Sequence, residues 1–256
     1  MAAKPKTKAV TTWDERLAAM AAEAQAAEPA SAGAFISVRG GQLTIGGNAV
    51  PGNKILAIVI DNIHENAFYV GKYDPDNVMP PKCFAFGRND ADMEPAEACA
   101  ESAEHEQCKG CPNNEWGTAD TGRGKACQNR RRLALILEEQ LENLEEAEPL
   151  YLKLPVTSVS NWKGYVNDLA NKQKRPPFSV LTEISVVPDP NTQFRVKFRC
   201  EATVDPEALD ALEAKQKEVS EKIEFPYTPY EEALAAKPAA PAGRGVGRGA
   251  AVRTRR

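Results

Sequence analysis

The chain holds six cysteines, and two of them form a CxxC pair, Cys108-Lys-Gly-Cys111. Thiolates at that spacing bend around one metal ion, and Gly110 permits the tight turn. A structural Zn2+ takes four Cys or His ligands in a tetrahedron. Cys83 and Cys127 supply the other two, each beside a strand-like run. A zinc ion held by Cys83, Cys108, Cys111 and Cys127 closes the intervening insert at its base. The insert is too polar and glycine-rich to hold itself with a core. Cys99 and His105 lie inside it, and either can stand in for Cys83 or Cys127. The plainer alternative is a loop of unpaired, reduced cysteines. A redox reading is weaker, because a thioredoxin-like CxxC follows a strand and opens a helix, whereas Pro112-Asn-Asn follows here. Cys200 reads as a small buried hydrophobe, and His64 as an ordinary surface or core histidine.

Cations and aromatic residues are interleaved through the same stretch. Arg88, Arg123, Lys125 and the run Arg130-Arg131-Arg132 accompany Phe84, Phe86 and Trp116. Phe194-Arg-Val-Lys-Phe-Arg-Cys200 alternates without a fault. A strand there turns Arg195, Lys197 and Arg199 to one side and apolar residues to the other. Single-strand binders use this mixture: cations neutralise the backbone, and aromatic faces stack bases whatever their identity. A solvated outer face is the competing reading for the 194–200 strand, and a core role competes for Phe84 and Phe86. Trp116, beside Gly117 in a polar loop, is harder to place in a core.

Catalytic patterns are missing. Gly122-Arg-Gly-Lys-Ala fails the P-loop spacing, and there is no Ser/His/Asp set or HExxH pair. Two histidines leave few general bases. Asp90, Asp92 and Glu94 alternate, but in a loop of this composition they read as a solvated run and not a nuclease metal site. The expectation is a non-enzyme with no small-molecule substrate.

The net charge of −4 argues against a uniform polycation. Arg244–Arg256 carries five arginines and no acid, so residues 1–243 sum to −4 − 5 = −9. That is a basic arm on an acidic body. No apolar run is long enough to span a membrane, and no apolar segment follows the charged N-terminus, so neither a membrane segment nor a secretory signal is expected. Six cysteines without a leader fit a reducing compartment.

The elements that must position these residues are mostly strands. Residues 1–33 form a flexible N-terminus with an alanine-rich helix, Trp13–Glu28. From residue 34 come short strands with glycine turns: Phe35–Arg39, Gln42–Ile45, Lys54–Ile60, Asn66–Val70 and Cys83–Phe86. Arg131–Leu137 fits strand or helix. Tyr151–Val156 is a strand, and Thr157–Gln173 has helical spacing. Phe178–Val187 and Thr192–Cys200 form a hairpin across Pro188-Asp-Pro-Asn191. Pro206–Glu221 is a charged helix, Ile223–Glu232 an aromatic and acidic segment, and 237–256 a disordered Arg/Gly-rich tail. The class is mainly β with flanking helices (α+β), and the meander fits a small barrel or a sandwich.

Several motifs together resemble a family. Val50-Pro-Gly-Asn-Lys54, Tyr73-Asp-Pro-Asp-Asn77, Cys83-Phe-Ala-Phe-Gly-Arg88, Cys108-x-x-Cys111-Pro-x-Asn-x-Trp116-Gly, Gly124-Lys-Ala-Cys127 and Arg131-Arg-Leu-Ala-Leu are similar to a family of tailed-phage single-stranded DNA-binding proteins. The resemblance spans about residues 34–200. It implies an OB-like β-barrel core over 34–204, with a zinc-stabilised insert at 83–127. It further implies protection of single-stranded DNA in phage replication or recombination, in the host cytoplasm. Phage helix-destabilising proteins with a zinc-bearing OB-fold use a histidine ligand, whereas four cysteines are available here. Residues 205–236 then form a helix with an acidic, aromatic segment, and 223–256 is the expected contact for replication or recombination proteins. The alternative function is a zinc-containing docking or transcription-accessory factor that acts on a polymerase or host partner.

Overall fold

The computed structural model describes residues 35–74, 77–120 and 122–235, together with Trp13, Arg16, Leu17 and Met20. Those four lie in a helix and are exposed. The rest of the expected N-terminal helix and the 237–256 tail lie outside the described residues.

The longest strand organises the fold. β4 (Lys54–Phe68) runs for 15 residues. The expectation of two strands, 54–60 and 66–70, is corrected: they are one. The polar stretch Asp61-Asn-Ile-His-Glu65 looked like a break. A β-bulge between Val59 and Asp61 carries the strand through it. The buried carboxylates find partners there, Asp61 with Arg88 and Glu65 with Arg132.

Around β4 the sheet has nine strands among the described residues, ordered β3-β2-β1-β7-β6-β4-β8-β9, with β5 also paired to β4. Here β1 is Phe35–Arg39, β2 Gln42–Ile45, β3 Asn48–Ala49, β5 Cys83–Gly87 and β6 Cys127–Leu137. The remaining strands are β7 (Leu150–Leu154), β8 (Val180–Asp189) and β9 (Gln193–Thr203). β6 covers one edge of β4 along most of its length, from Ala57 to Phe68. The other edge is shared: β8 pairs with residues 54–57 and β5 with residues 64–68. β6 settles the open choice at 131–137 in favour of a strand, because Leu133 and Leu135 point to one core and Ala134 and Ile136 to the other.

The sheet is mainly antiparallel and strongly curled into a half-barrel. Leu43 of β2 and Val196 of β9, from opposite ends of the strand order, share one core cluster. Helix α1 (Val159–Asp168) plugs the concave side, with Trp162 and Tyr165 against Phe198. Leu133, Leu135, Leu152 and Leu154 are fully buried there, each worth about 1.5–3 kcal/mol relative to exposure. The alternation read in 194–200 holds: Val196 is buried and Phe198 packs on α1, while Lys197 and Arg199 are exposed.

The convex side is covered by helix α2 (Leu209–Lys222), whose Leu212 and Val219 pack with Ile58, Ile60 and Ile63. The following segment continues across the same face. Ile223 is buried, and Phe225 meets Phe35 and Tyr151 edge-on, with centroids 5.3 and 4.9 Å apart. Tyr227 packs against Phe84 and Phe86. A short helix, α3 (Tyr230–Ala235), ends the described chain. The aromatic residues of 223–227 are therefore engaged with their own sheet.

Candidate metal centre and nucleic-acid surface

Cys83 opens β5 and Cys127 opens β6, and both pair with Phe68 of β4. Residues in register on adjacent strands share a face. The two thiols thus rise on one side of the sheet, roughly 10 Å apart at the backbone across two strand spacings. Residues 88–126 fold back over that face. Their route is pinned by Ala96 N–H to Phe84 O (2.8 Å) and Cys108 N–H to Met93 O (2.9 Å). A β-carbon at Gly87 would lie 2.8 Å from Met93 Cγ, so this close crossing needs glycine.

The CxxC turn forms as its spacing predicts. Gly110 adopts φ +80°, and Asn114 braces the turn by donating from its side chain to Cys108 O at 2.8 Å. Cys83, Cys108, Cys111 and Cys127 then line one pocket. Burial, followed by the neighbouring Cys108 and Cys111, pushes the Cys127 thiol up to about 12. Cys108 is raised by burial and by Cys111. Cys83 is raised by its hydrogen bond to Cys99, then by burial. Crowded, partly buried thiols resist ionisation unless a cation compensates. Among the described residues no group of three or more His, Cys, Asp or Glu is placed so that it could hold a metal ion, although the four thiols line one pocket.

The two substitute ligands separate. His105 is exposed at the pocket rim, its Nδ1 2.9 Å from Gln107 O. Cys99 is buried beside Cys83, its sulfur accepting from Phe84 N–H at 3.2 Å.

The proposed cations fall into distinct places. Arg132 does not reach a surface, which corrects its place among the ligand-contacting residues. It is 1% exposed, ion-paired with Glu65 at 2.7 Å, and donates to Ile223 O and Phe225 O. Its guanidinium lies 4.3 Å from the Phe86 ring centroid and 3.9 Å from that of Phe225. Arg88 is clamped to Asp61 through two hydrogen bonds of 2.5 and 2.7 Å. Arg131 is half-buried on the concave face and donates to Asn62 Oδ1 at 3.2 Å. Burial, then Arg131, lowers the pKa of His64 beside it.

On β9, Arg195 pairs with Asp189, and Arg199 with Glu183 and Glu201. Lys197 is exposed between them. This face is of mixed charge. It also lies far from the insert: Arg199 pairs with Glu183, which pairs with Leu56, whereas Cys127 pairs with Phe68. Twelve residues of β4 span about 40 Å.

The insert end is different. Trp116 is 79% exposed, in a loop tied by Gly117 N–H to Gly124 O (2.7 Å). Thr118 Oγ1 braces it further, donating to Glu115 O and accepting from Ala126 N–H. Exposed Arg123 and half-buried Lys125 sit in the same loop, Lys125 donating to Asn114 Oδ1 at 3.1 Å. Tyr73, 74% exposed, lies in the loop that leaves β4 beside Cys127. Arg130 lies over Tyr69, 5.8 Å from its centroid, and bonds to Gln128. Phe84 and Phe86, by contrast, serve the core under Tyr227.

Sequence reasoning missed Lys153, Glu65 and Tyr227. Lys153 donates to Tyr227 OH at 3.0 Å, and Tyr227 donates to Glu65. Each looks unremarkable in its local sequence; the register of β6 with β4 and β7 places Glu65 and Lys153, and the segment after α2 lays Tyr227 between them. No helix is long and apolar enough to cross a membrane among the described residues. Comparisons with protein-family models, curated proteins and solved structures return no match.

Proposed function

We propose that the protein binds single-stranded DNA without cleaving it, through the insert-bearing end of the half-barrel. The observation that carries this reading is Trp116. A large indole is held exposed by a loop whose hydrogen bonds fix it, with cations in the same loop. An exposed aromatic on a rigid mount offers a stacking face without the entropy loss of ordering it. Tyr73, Arg123 and Lys125 accompany it, and Arg131 borders this end on the concave side; Arg130, over Tyr69, points to the opposite convex face. The mixed-charge β9 face, about 40 Å away along β4, is a secondary contact.

Zn2+ on Cys83, Cys108, Cys111 and Cys127 is the structural cofactor in this reading. It ties the Trp116 loop to the starts of β5 and β6. The curl of the sheet supports the OB-like description of the core, and the motif resemblance supports a role in phage replication or recombination in the host cytoplasm. The 237–256 tail adds a sequence-independent electrostatic contact.

The test is a titration with oligo(dT) at low and moderate salt, following tryptophan emission in the parent and in Trp116→Ala, the difference reporting Trp116 beside Trp13 and Trp162. Binding with quenching, weakened as salt rises by about −0.7 in log–log slope per phosphate neutralised, is expected. An exposed indole also suits a protein pocket, which is the docking-factor alternative. Absence of binding at low salt, with retention of a polymerase on immobilised protein, decides for that alternative.

A further inference from the structure

The register of the sheet gathers charge on its convex face. Phe86, Glu65 and Arg130 lie in one cross-strand row over β5, β4 and β6, and Arg132 faces Lys153 of β7 in the next row. Three cations therefore surround one carboxylate. Glu65 is fully buried and is taken by Arg132 at 2.7 Å. What remains for the other two cations is neutral. Arg130 bonds to Gln128 and lies over the Tyr69 ring, 5.8 Å from its centroid. Lys153 donates to Tyr227 OH at 3.0 Å and lies 4.2 Å from the centroid of that ring. Both are half-buried. Among the described residues neither is ion-paired with a carboxylate, whereas Arg88, Arg195 and Arg199 each are. Burial, and after it the neighbouring Arg132 and Arg130, lower the pKa of Lys153 against the pull of Glu65.

We propose that Arg130 and Lys153 form a binding site for a phosphate group on the convex face. Three cations and one carboxylate leave two positive charges uncompensated in a partly desolvated place, which favours an added anion. A phosphate monoester matches in charge, carrying about −1.5 to −2 near neutral pH. It also matches in shape. Arg130 and Lys153 are diagonal neighbours across β6 and β7, about 7–8 Å apart at the backbone. Their long side chains close on one group from two sides, and its several oxygens meet the guanidinium fork and the ammonium together. A carboxylate has one charge and two oxygens on a single edge, so it serves only one of the two cations. Tyr227 positions the ammonium, because its hydroxyl lies between Lys153 and Glu65. The site lies on the face opposite the insert loop and is independent of the oligo(dT) reading.

The full chain, isotopically labelled for NMR, is titrated with inorganic phosphate near neutral pH, with sodium chloride adjusted to hold the ionic strength constant. Saturable amide shifts are expected around Arg130 and Lys153 and not in the insert loop. Acetate at the same ionic strength leaves those amides in place. Arg130→Gln and Lys153→Gln each weaken phosphate binding roughly tenfold. Should Lys153→Gln not fold, because Tyr227 loses a partner, Arg130→Gln alone decides. Oligo(dT) is then added to the phosphate-saturated chain to separate two sources of the ligand. Displacement of phosphate assigns the site to the backbone of a strand, retention assigns it to a free phosphate ester, and both sustain the site. No saturable shift there, equal shifts with acetate, or undiminished phosphate affinity in Arg130→Gln overturns the proposal.

Discussion

Cys83 and Cys127 stand on the two strands that flank β4, both in register with Phe68. The sheet thereby fixes two candidate ligands to a rigid base, and the CxxC turn of the insert brings the other two to them. A metal there would join an irregular segment to the most regular part of the fold.

Replacing one pocket thiol tests this arrangement. Cys111→Ser and Cys127→Ser are expected to purify with zinc near zero, against about one per chain for the parent. Amide exchange in residues 88–126 rises sharply in these variants, while β4 and β6 stay protected. Zinc content by atomic absorption and exchange by mass spectrometry make the check. Full zinc in Cys111→Ser removes Cys111 from the ligand set.

Trp116→Ala separates binding from folding. Base stacking on one aromatic contributes about 1–3 kcal/mol, so oligo(dT) affinity is expected to fall roughly 5- to 150-fold. The side chain is exposed, and the melting temperature stays within about a degree. Arg199→Ala, on the ion-paired β9 face, changes affinity little by comparison. Equal losses for the two variants would move the binding surface towards β9.

The Arg132–Glu65 pair predicts a stability effect without a direct binding contact. Arg132→Met leaves a buried carboxylate unpaired and frees two main-chain carbonyls, at about 3–5 kcal/mol. Urea unfolding measures it. Arg88→Ala is milder, because the Arg88 side chain is half exposed and Asp61 keeps a hydrogen bond from Ser220.

His64 gives a pH signature. Burial and Arg131 depress its pKa in the folded chain below the ordinary 6.5. The unfolded chain therefore binds the proton first as pH falls. The contribution to stability is complete above 6.5 and is lost as pH drops from there towards the folded value. His64→Gln is expected to flatten the fall in melting temperature between about pH 7 and pH 5. An unchanged slope would show that other groups dominate that window.

Much of this was legible in the residue order. The alternation of 194–200 marked its two faces, the CxxC spacing marked its turn, and Trp116 beside Gly117 in a polar loop marked an exposed ring. What stayed hidden depends on register. Asp61 and Glu65 read as the end of a strand because charged residues are rare in a sheet interior; a bulge and two distant arginines reverse that meaning. Arg132 sits in a run of three identical residues. Only strand alternation, together with a covering segment some 90 residues later, separates it from Arg130 and Arg131. The same applies to Phe84 and Phe86, whose burial under Tyr227 is a long-range event.

That covering segment gives the chain a timetable. Synthesis proceeds from the N-terminus, so β4, β5, β6 and the four thiols are all available once Leu137 has emerged. The gutter around Arg132, Phe86 and Phe35 stays bare until Ile223–Tyr227 follows. A chain ending at residue 204 would lack every residue that closes this gutter, leaving Arg132, Phe86 and Phe35 without their cover.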